Sequence, residues 1–402
     1  MKYINRTIEK TIKKALKQSK VVLITGARQV GKTTTVKRLK GFNYITLDDD
    51  NELLKLSEDK NLFFADKKLP IIIDEAQYSK DIFRYIKKLV DENNKKGQVI
   101  LTGSQSYELM AKSSESLAGR ITILNMPNFS IREISGIDDD RMFIPNDNYI
   151  KKCGKRKKIN DIWKYIYKGF APMVQDKNTD VKWFYTDYVN TYIERDVRKI
   201  INIENETDFK KFLISVVARS GQVLVYEDIA KDIGVSSITI KKWCSVLANS
   251  GIIKIVNTYS SNYLKRIIKS PKLYVLDTGL MCNIMRWPNK ETIQNGPMAG
   301  QIFETFVFSE IYKSFVNIKE SVDDIYYYRD KDKNEIDLII EQGDNIYPIE
   351  IKLAATVNMN LLKSFNVLKN IKGKKICKPT VICMVNKPYK FNNIQFLPIS
   401  YL

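Results

Sequence analysis

The chain has 402 residues, of which 44% are hydrophobic and 11% aromatic, and it carries a formal net charge of +20. This composition excludes global disorder, and the length predicts roughly two to four domains. The chain contains no histidine, and its five cysteines are scattered without a CxxC pair. Catalytic triads and histidine bases are therefore excluded, and neither a disulfide framework nor a cysteine zinc site is expected. A metal would need oxygen ligands, as Mg²⁺ and Mn²⁺ do.

The excess of basic residues favours a polyanionic partner, with nucleic acid, and DNA in particular, as the leading candidate. The abundance of Lys, Ile and Asn leaves open that the charge serves only solubility. No apolar run approaches the length of a membrane span, and the first residues lack the apolar segment of a signal peptide. We therefore expect a cytoplasmic protein without a membrane partner.

The first predicted elements are a helix, a strand and a glycine-rich turn that opens a second helix. Apolar residues recur every four positions in residues 4–16, and the apolar run Val21–Ile24 follows. The spacing of residues 26–33 then fits the P-loop pattern, whose backbone N–H groups and helix dipole bind phosphate. In this pattern Lys32 contacts the outer phosphates and the Thr33 hydroxyl binds Mg²⁺. The predicted nucleotide-binding residues of this segment are Gly26, Arg28, Gln29, Val30, Gly31, Lys32, Thr33 and Thr34.

Two later strands are predicted to carry polar side chains to the P-loop. The unbroken apolar run Ile71–Ile73 ends in Asp74 and Glu75, which is typical of a central parallel strand that meets a nucleotide. Asp74 would hold Mg²⁺ and Glu75 would polarise the attacking water; the alternative is an acidic strand cap. The next strand ends near Thr102 and Ser104, either of which could sense the γ-phosphate.

An arginine near the far edge of such a domain can stabilise charge on a γ-phosphate of a neighbouring subunit. Arg120 is the candidate, and a finger of this kind would make a homo-oligomer one of the expected partners. A surface ion pair or a contact internal to the fold is the alternative. Arg195 is a second candidate.

Four motifs occur in a characteristic order, at residues 26–33, 73–77, 101–105 and 116–120. They read Gly-Ala-Arg-Gln-Val-Gly-Lys-Thr, Ile-Asp-Glu-Ala-Gln, Leu-Thr-Gly-Ser-Gln and Ser-Leu-Ala-Gly-Arg. In these motifs the chain resembles the prokaryotic AAA+-type ATPases that carry a restriction-endonuclease-like C-terminal domain. The resemblance implies an ATP- and Mg²⁺-binding P-loop domain, a winged-helix segment and a nuclease-like tail, and it supplies no cellular role.

Beyond the ATPase segment, a basic stretch at residues 151–158 is either a solvated linker or an arm that contacts phosphates. Aromatic helices follow, and three helices are then predicted over residues 209–219, 226–233 and 238–248. Strands at Ile252–Val256 and Lys265–Ile268 would form the wing of a winged helix-turn-helix. This unit would either bind DNA or serve only in packing or protein contacts. The polar groups that would meet DNA are Ser237, Thr239, Lys241, Lys242 and Ser245.

The last part of the chain carries an acidic pattern. Asp337 lies on one predicted strand, and Glu350 and Lys352 share one face of the next, after a helix that carries Glu304. This arrangement resembles the PD-(D/E)xK nuclease fold, in which Glu304, Asp337 and Glu350 would hold Mg²⁺ or Mn²⁺ and Lys352 would offset charge near the nucleophile. Alternating charges on a half-exposed strand are the alternative. Pro348 suggests that its strand begins close to that residue.

The predicted fold class is α/β: a parallel-sheet P-loop NTPase domain of AAA+ type, a helical lid with a winged helix-turn-helix, and a C-terminal α/β restriction-endonuclease-like domain. The boundaries are 1–140, 141–205, 206–270 and 271–402. The predicted function is an ATPase associated with nucleic acid, with a Mg²⁺-dependent nuclease-like tail whose cleavage activity stays open. The alternative is a nucleotide-dependent switch with an inactive tail.

Overall fold

The computed structural model describes residues 3–65, 67–79, 81–92, 94–103, 117–191, 193, 206–262, 266, 269–354, 364–368, 371 and 373–402. Ser104, Arg195 and most of the predicted strand Lys265–Ile268 lie outside these residues. Within them the strands form three sheets, of five, three and seven strands.

The first sheet is parallel throughout, in the order β2-β3-β4-β1-β5. Its strands are β1 Val21–Thr25, β2 Asn43–Thr46, β3 Ile71–Asp74, β4 Val99–Thr102 and β5 Ile121–Asn125. The helices of this region are α1 Ile8–Gln18, α2 Lys32–Val36, α3 Asp50–Glu58, α4 Lys60–Ala65, α5 Ile82–Glu92 and α6 Ile131–Ile134.

Both faces of this sheet are covered, which explains why its central strands are continuously apolar. Val21 and Leu23 pack with the helix α5 on one face, whereas Val22 and Ile24 pack with α1 on the other. All residues of β1, β3 and β4 are buried. The carboxyl ends of these strands therefore meet at one edge, where the P-loop follows β1.

The middle of the chain is helical and carries the three-stranded sheet. Its helices are α7 Asp147–Cys153, α8 Ile162–Lys168, α9 Val181–Tyr188, α10 Glu206–Ala218, α11 Tyr226–Ile233 and α12 Ser237–Asn249. The strands β6 Gln222–Val223, β8 Lys272–Val275 and β7 Ile253–Val256 pair antiparallel in that order.

Within the described residues β7 pairs with β8, and the predicted second wing strand Lys265–Ile268 lies outside them except for Arg266, so that strand stays a prediction. Arg266 is a buried side chain that donates to Glu341 in the last part of the chain at 2.7 Å. Because β8 completes the sheet of the helical region, a boundary after residue 270 would divide that sheet. The other predicted boundaries stay predictions.

The seven-stranded sheet is mixed, in the order β14-β15-β13-β11-β10-β9, with β12 pairing with β11. Its strands are β9 Ile325–Arg329, β10 Glu335–Gln342, β11 Asn345–Lys352, β12 Lys375–Ile376, β13 Thr380–Cys383, β14 Tyr389–Phe391 and β15 Ile394–Pro398. The helices before it are α13 Thr278–Ile284, α14 Lys290–Gln294 and α15 Ala299–Val316.

Pro348 does not mark a strand start, because β11 extends three residues before it and Pro348 pairs with Ile339 of β10. On the other side of β11, residues 345–346 pair with β12 and residues 349–352 pair with β13. Pro348 falls between these two partners, where the absent N–H interrupts neither pairing.

Candidate nucleotide-binding and acidic sites

The P-loop connects β1 to α2. At its first residue, Gly26, the backbone has a conformation that only glycine adopts. Gly26 has φ of 145°, and a Cβ placed there would lie 2.3 Å from the carbonyl oxygen of Met126. Gly31 is also left-handed, at φ 92°, directly before α2. The loop therefore curls tightly over the end of β5 and directs the start of α2 toward the edge of the sheet.

Lys32 is buried inside this loop. Its Nζ donates to the carbonyl oxygens of Gly26 at 3.0 Å and Ala27 at 2.9 Å. Burial lowers the pKa of Lys32 to about 8, although Glu75 and Asp74 act in the opposite direction. A phosphate in the loop would supply the negative charge that favours the ammonium form.

Asp74 gathers three hydroxyl groups at the carboxyl end of β3. Its Oδ2 accepts from Thr33 Oγ1 and from Tyr44 Oη, each at 2.7 Å, and its Oδ1 accepts from Thr102 Oγ1. A hydroxyl and a carboxylate in contact at the end of a P-loop are oxygen ligands of the kind Mg²⁺ prefers. The donor set of Thr33 and Asp74 thus fits that ion. Sequence reasoning missed Tyr44.

Glu75 follows in the left-handed conformation, at φ 55°. Its backbone N–H donates to Thr102 Oγ1 at 3.2 Å, and its carboxylate accepts from Gln77 Nε2. Thr102 Oγ1 therefore bonds both the carboxylate of Asp74 and the backbone of Glu75. Its role as a γ-phosphate sensor stays a prediction. Ser104, the other predicted sensor, lies outside the described residues.

A cleft of about 660 Å³ opens beside these groups. Its lining on the sheet side is Arg28, Gln29, Gly31, Lys32, Thr33, Thr34, Asp48, Glu75 and Tyr78. The facing wall is Pro172, Met173, Phe184, Asp187, Tyr188 and Thr191. Val30 does not line the cleft: its side chain is buried, and its carbonyl oxygen accepts from Arg6 at 2.9 Å. This arrangement gathers most of the predicted nucleotide-binding residues around one volume large enough for a nucleotide.

Arg120 lies away from this cleft. It precedes β5, and its carbonyl oxygen accepts from the N–H of Val21 at the start of β1, the opposite end of the strand from the P-loop. Its guanidinium contacts both carboxylate oxygens of Asp91, at 2.5 and 3.0 Å. This is the surface ion pair considered as the alternative, and the position of Arg120 separates it from the cleft of its own chain.

In the seven-stranded sheet, the predicted acidic residues converge. Asp337 Oδ2 accepts from the N–H of Ile351 at 2.7 Å and from Lys352 Nζ at 3.1 Å. Lys352 also contacts Glu350 at 2.6 Å, and Ser364 Oγ donates to Glu350 at 2.9 Å. Burial and the charge of Asp337 raise the pKa of Glu350 to about 8.

Glu304 is near this group but has partners that the sequence did not indicate. Its Oε1 accepts from Lys272 Nζ at 3.0 Å and from Tyr274 Oη at 2.6 Å. Lys272 also contacts Glu335 at 2.6 Å. Burial and the nearby Asp337 raise the pKa of Glu304 to about 7. Lys272 and Tyr274 alternate with Leu273 and Val275 on β8, and this period of two was the available signal.

The carboxylates of this region thus face lysines. Across the described ranges, no three acidic or cysteine side chains come close enough together to hold one metal ion. Asp337 and Glu350 provide two oxygen ligands, whereas Glu304, predicted as a third, is engaged by Lys272 and Tyr274.

On α12, the predicted DNA-contacting groups divide by exposure. Lys241, Lys242 and Ser245 are exposed on one face together with Ile238, whereas Ser237 and Thr239 are half-buried. Thr239 Oγ1 also hydrogen-bonds Ser236 Oγ at 2.8 Å.

Comparison with known families divides the chain into three parts. Residues 18–135 match a family model described as an AAA domain. Residues 159–291 and 299–402 match models described as domains of unknown function, DUF8612 and DUF4143. The prediction of an AAA-type P-loop ATPase domain in the first part is confirmed at this level.

The uncharacterized proteins Rv2008c of Mycobacterium tuberculosis and Mb2031c of Mycobacterium bovis are each 26% identical over 355 residues, which is 87% of this chain and 74% of the relative. The Walker-type ATPase PABY2304 of Pyrococcus abyssi is 13% identical and has a TM-score of 0.40, covering 70% of this chain and 96% of its own. AMPPCP-bound DnaA from Aquifex aeolicus is 11% identical with a TM-score of 0.28, covering 60% of this chain and 85% of its own. At these TM-scores the structural likenesses support no argument. None of the helices in the described ranges has the length and apolar character needed to cross a bilayer.

Proposed function

We propose that the protein binds and hydrolyses ATP with Mg²⁺ at the P-loop. Lys32 neutralises the outer phosphates, Thr33 and Asp74 hold the metal, and Glu75 orients the attacking water. Arg120 would act only on the nucleotide of a neighbouring copy. The observation that carries the proposal is the contact of Thr33 with Asp74 directly after a P-loop that buries Lys32.

The test is ATP turnover by Lys32→Ala, with Lys40→Ala as the matched control. Lys40 is exposed and outside the lining of the cleft. We expect Lys32→Ala to lose turnover and Lys40→Ala to retain it. Undiminished turnover by folded Lys32→Ala would contradict the proposal.

For the last part of the chain we propose a nuclease-like site at Asp337, Glu350 and Lys352. Mg²⁺ bound by the two carboxylates would supply an activated water and offset charge on a phosphate. The buried position of both acids next to Lys352 supports this proposal. The competing function is a nucleotide-dependent switch with an inactive tail, and the lysine partners of all these acids favour it.

Incubation of supercoiled and linear DNA with Mg²⁺ or Mn²⁺, with and without ATP, separates the two. If the proposed site is a nuclease, the wild type cuts DNA and Asp337→Asn does not. Asp344→Asn is the control: the Asp344 side chain is 94% exposed in a turn, and this variant should cut DNA as the wild type does. ATP hydrolysis without cleavage of any nucleic acid would favour the switch.

Nucleic-acid binding is proposed for the exposed face of α12, the third helix of a winged-helix-like unit. Lys241→Ala together with Lys242→Ala should weaken DNA binding and lower the slope of log affinity against log salt by about 2, one unit for each lost phosphate contact. An unchanged slope would remove this helix from the interface.

A further inference from the structure

The strand β8 places a lysine and a tyrosine of the helical region inside the acidic site of the seven-stranded sheet. Lys272 Nζ lies 3.0 Å from Glu304 and 2.6 Å from Glu335. Tyr274 Oη donates to the same oxygen of Glu304, at 2.6 Å. The cation next to Glu304 therefore comes from a different sheet than Asp337 and Glu350 do.

This lysine is enclosed. Lys272 is 1% exposed, and its Nζ lies 5.6 Å from the ring centroid of Tyr327 on β9. Its neighbours in the strand, Leu273 and Val275, belong to the main hydrophobic core. A lysine so deeply buried is rare unless it is paired with an acid. The contacts with Glu304 and Glu335 therefore stabilise the Lys272 ammonium group in this position.

Ammonium groups already contact every carboxylate of the site. Four carboxylates, those of Glu304, Glu335, Asp337 and Glu350, contact two ammonium groups. A divalent ion on Glu304 would stand within a few ångströms of the Lys272 ammonium, where like charges repel strongly in a buried site. A metal and Lys272 are therefore competitors for the oxygen of Glu304.

We propose that Lys272 is a built-in counter-cation that blocks Glu304 from metal binding, so that the three-stranded sheet holds the acidic site closed. Divalent metal gains Glu304 as a ligand only when β8 withdraws Lys272. This inference rests on the proposed function in one respect, that the tail carboxylates bind metal.

The segment between β7 and β8 is also fastened to the same sheet. The N–H of Tyr259 donates to the carbonyl oxygen of Tyr327 at 2.6 Å, and the N–H of Tyr327 donates to that of Asn257 at 3.1 Å. Arg266 adds a buried contact with Glu341. A withdrawal of β8 from the acidic site would therefore also strain or break these contacts with the seven-stranded sheet.

The experiment measures Mn²⁺ binding to the full, nucleotide-free chain by electron paramagnetic resonance. Lys272→Met, which keeps most of the length of the side chain and removes its charge, should bind Mn²⁺ about tenfold more tightly than wild type, because one neighbouring charge typically shifts such equilibria by about one log unit or more. Lys272→Arg should bind as wild type does. Adding Glu304→Gln to Lys272→Met should abolish the gain.

Two readouts keep the test decisive if Lys272→Met is destabilised. Mn²⁺ should raise its melting temperature more than that of wild type. Glu304→Gln should cost less Mn²⁺ affinity in the otherwise wild-type chain, where Lys272 already contacts Glu304, than it costs in Lys272→Met. An equal loss in both chains, or an affinity that does not rise with Lys272→Met in a chain with normal ATP turnover, overturns the proposal.

DNA cleavage measured in parallel separates this inference from the proposed nuclease. If Mn²⁺ binds more tightly to Lys272→Met and no variant cuts DNA, the nuclease proposal fails and the lysine block stands. If wild type cuts DNA and Lys272→Met gains no Mn²⁺ affinity, the block is wrong and the nuclease stands.

Discussion

Asp74 shows how one side chain can organise the candidate ATPase site. Three hydroxyls, from the P-loop helix, β2 and β4, donate to its two oxygens. These contacts hold the Asp74 carboxylate in one orientation at the carboxyl end of β3. Burial, followed by the hydrogen bond to Asp74, raises the pKa of Tyr44, which keeps the phenol a donor.

Glu75 is not among these contacts, and its role can be tested separately. Glu75→Gln keeps the shape of the side chain and removes its negative charge. We expect ATP affinity within about threefold of wild type and turnover lowered by about 10²-fold or more, because the loss falls on activation of the water. Binding of a fluorescent ATP analogue and phosphate release measure the two effects. Equal losses in both would place Glu75 in nucleotide binding.

Asp139 is an acid whose pKa gives stability a defined pH dependence. Burial alone would raise the pKa of this carboxyl, but the hydrogen bond from Arg141 and the nearby Arg132 lower it to about 2 from 3.8. Since the folded pKa is below the unfolded one, its stabilisation is complete above about pH 4 and disappears as the pH falls toward 2.

Asp139→Asn should therefore lower the free energy of unfolding by about 2 kcal/mol at pH 7, and this difference should shrink toward pH 2. Urea unfolding at a series of pH values measures it. The adjacent Asp138→Asn is the control, because the Asp138 side chain is 81% exposed and its pair with Lys10 should contribute little. A loss independent of pH would exclude ionisation as the cause.

At the scale of elements, the strongest sequence patterns predicted the structure best. The P-loop, the run before Asp74, and the strands that carry Asp337 and Glu350 lie where their periodicity placed them. Local patterns gave less where the partner is distant. Lys272–Val275 was not among the predicted wing strands, and only its pairing with β7 identifies it as part of that sheet. The contact of Lys272 with Glu304 likewise depends on how two sheets meet, which no local period encodes.

The start of α13 gives an element-scale prediction. A Cβ on Gly279 would lie 2.7 Å from both the Cα of Gly169 and the Cε2 of Tyr185. Gly279→Ala should thus reduce the free energy of unfolding by about 1–3 kcal/mol through overpacking. Gly300→Ala on α15, where no atom lies within 4 Å of the new Cβ, should be neutral or stabilising by up to about 1 kcal/mol. Similar denaturation midpoints for both variants would show that the backbone at Gly169 can shift to accommodate the added methyl group at little energetic cost.

At the scale of the molecule, buried polar contacts join the AAA-type domain to the rest. Asp277 accepts hydrogen bonds from Asn128, Phe170, Tyr185 and Leu280, at 2.8–3.1 Å. Asn128 follows the last strand of the first sheet, and Tyr185 lies on α9, whose later residues line the nucleotide cleft. Asp277 lies two residues after β8, so residues beside the cleft are bonded directly to the end of the strand that carries Lys272 and Tyr274.

Glu310 of α15 makes another buried connection, and it gives a prediction about cooperativity. Its Oε2 accepts from the N–H of Ile131 at the start of α6 at 2.8 Å, and its Oε1 accepts from Lys313 Nζ at 2.7 Å. The side chains of Glu310 and Lys313 are each 1% exposed, and Lys313 lies 3.9 Å from the ring centroid of Phe170. Glu310→Ala should cost about 3–5 kcal/mol, because it strands a buried ammonium group.

The contact between Glu310 and Ile131 joins two parts of the chain. Calorimetry of the wild type should therefore show a single unfolding transition, and that of Glu310→Ala should show two, with the AAA-type domain melting first. Glu310→Ala combined with Lys313→Met removes the stranded charge and should recover part of the loss, while the transitions stay separate because Ile131 still lacks its acceptor. A single transition in Glu310→Ala, shifted only in temperature, would mean that the shared apolar core couples the two parts without this contact.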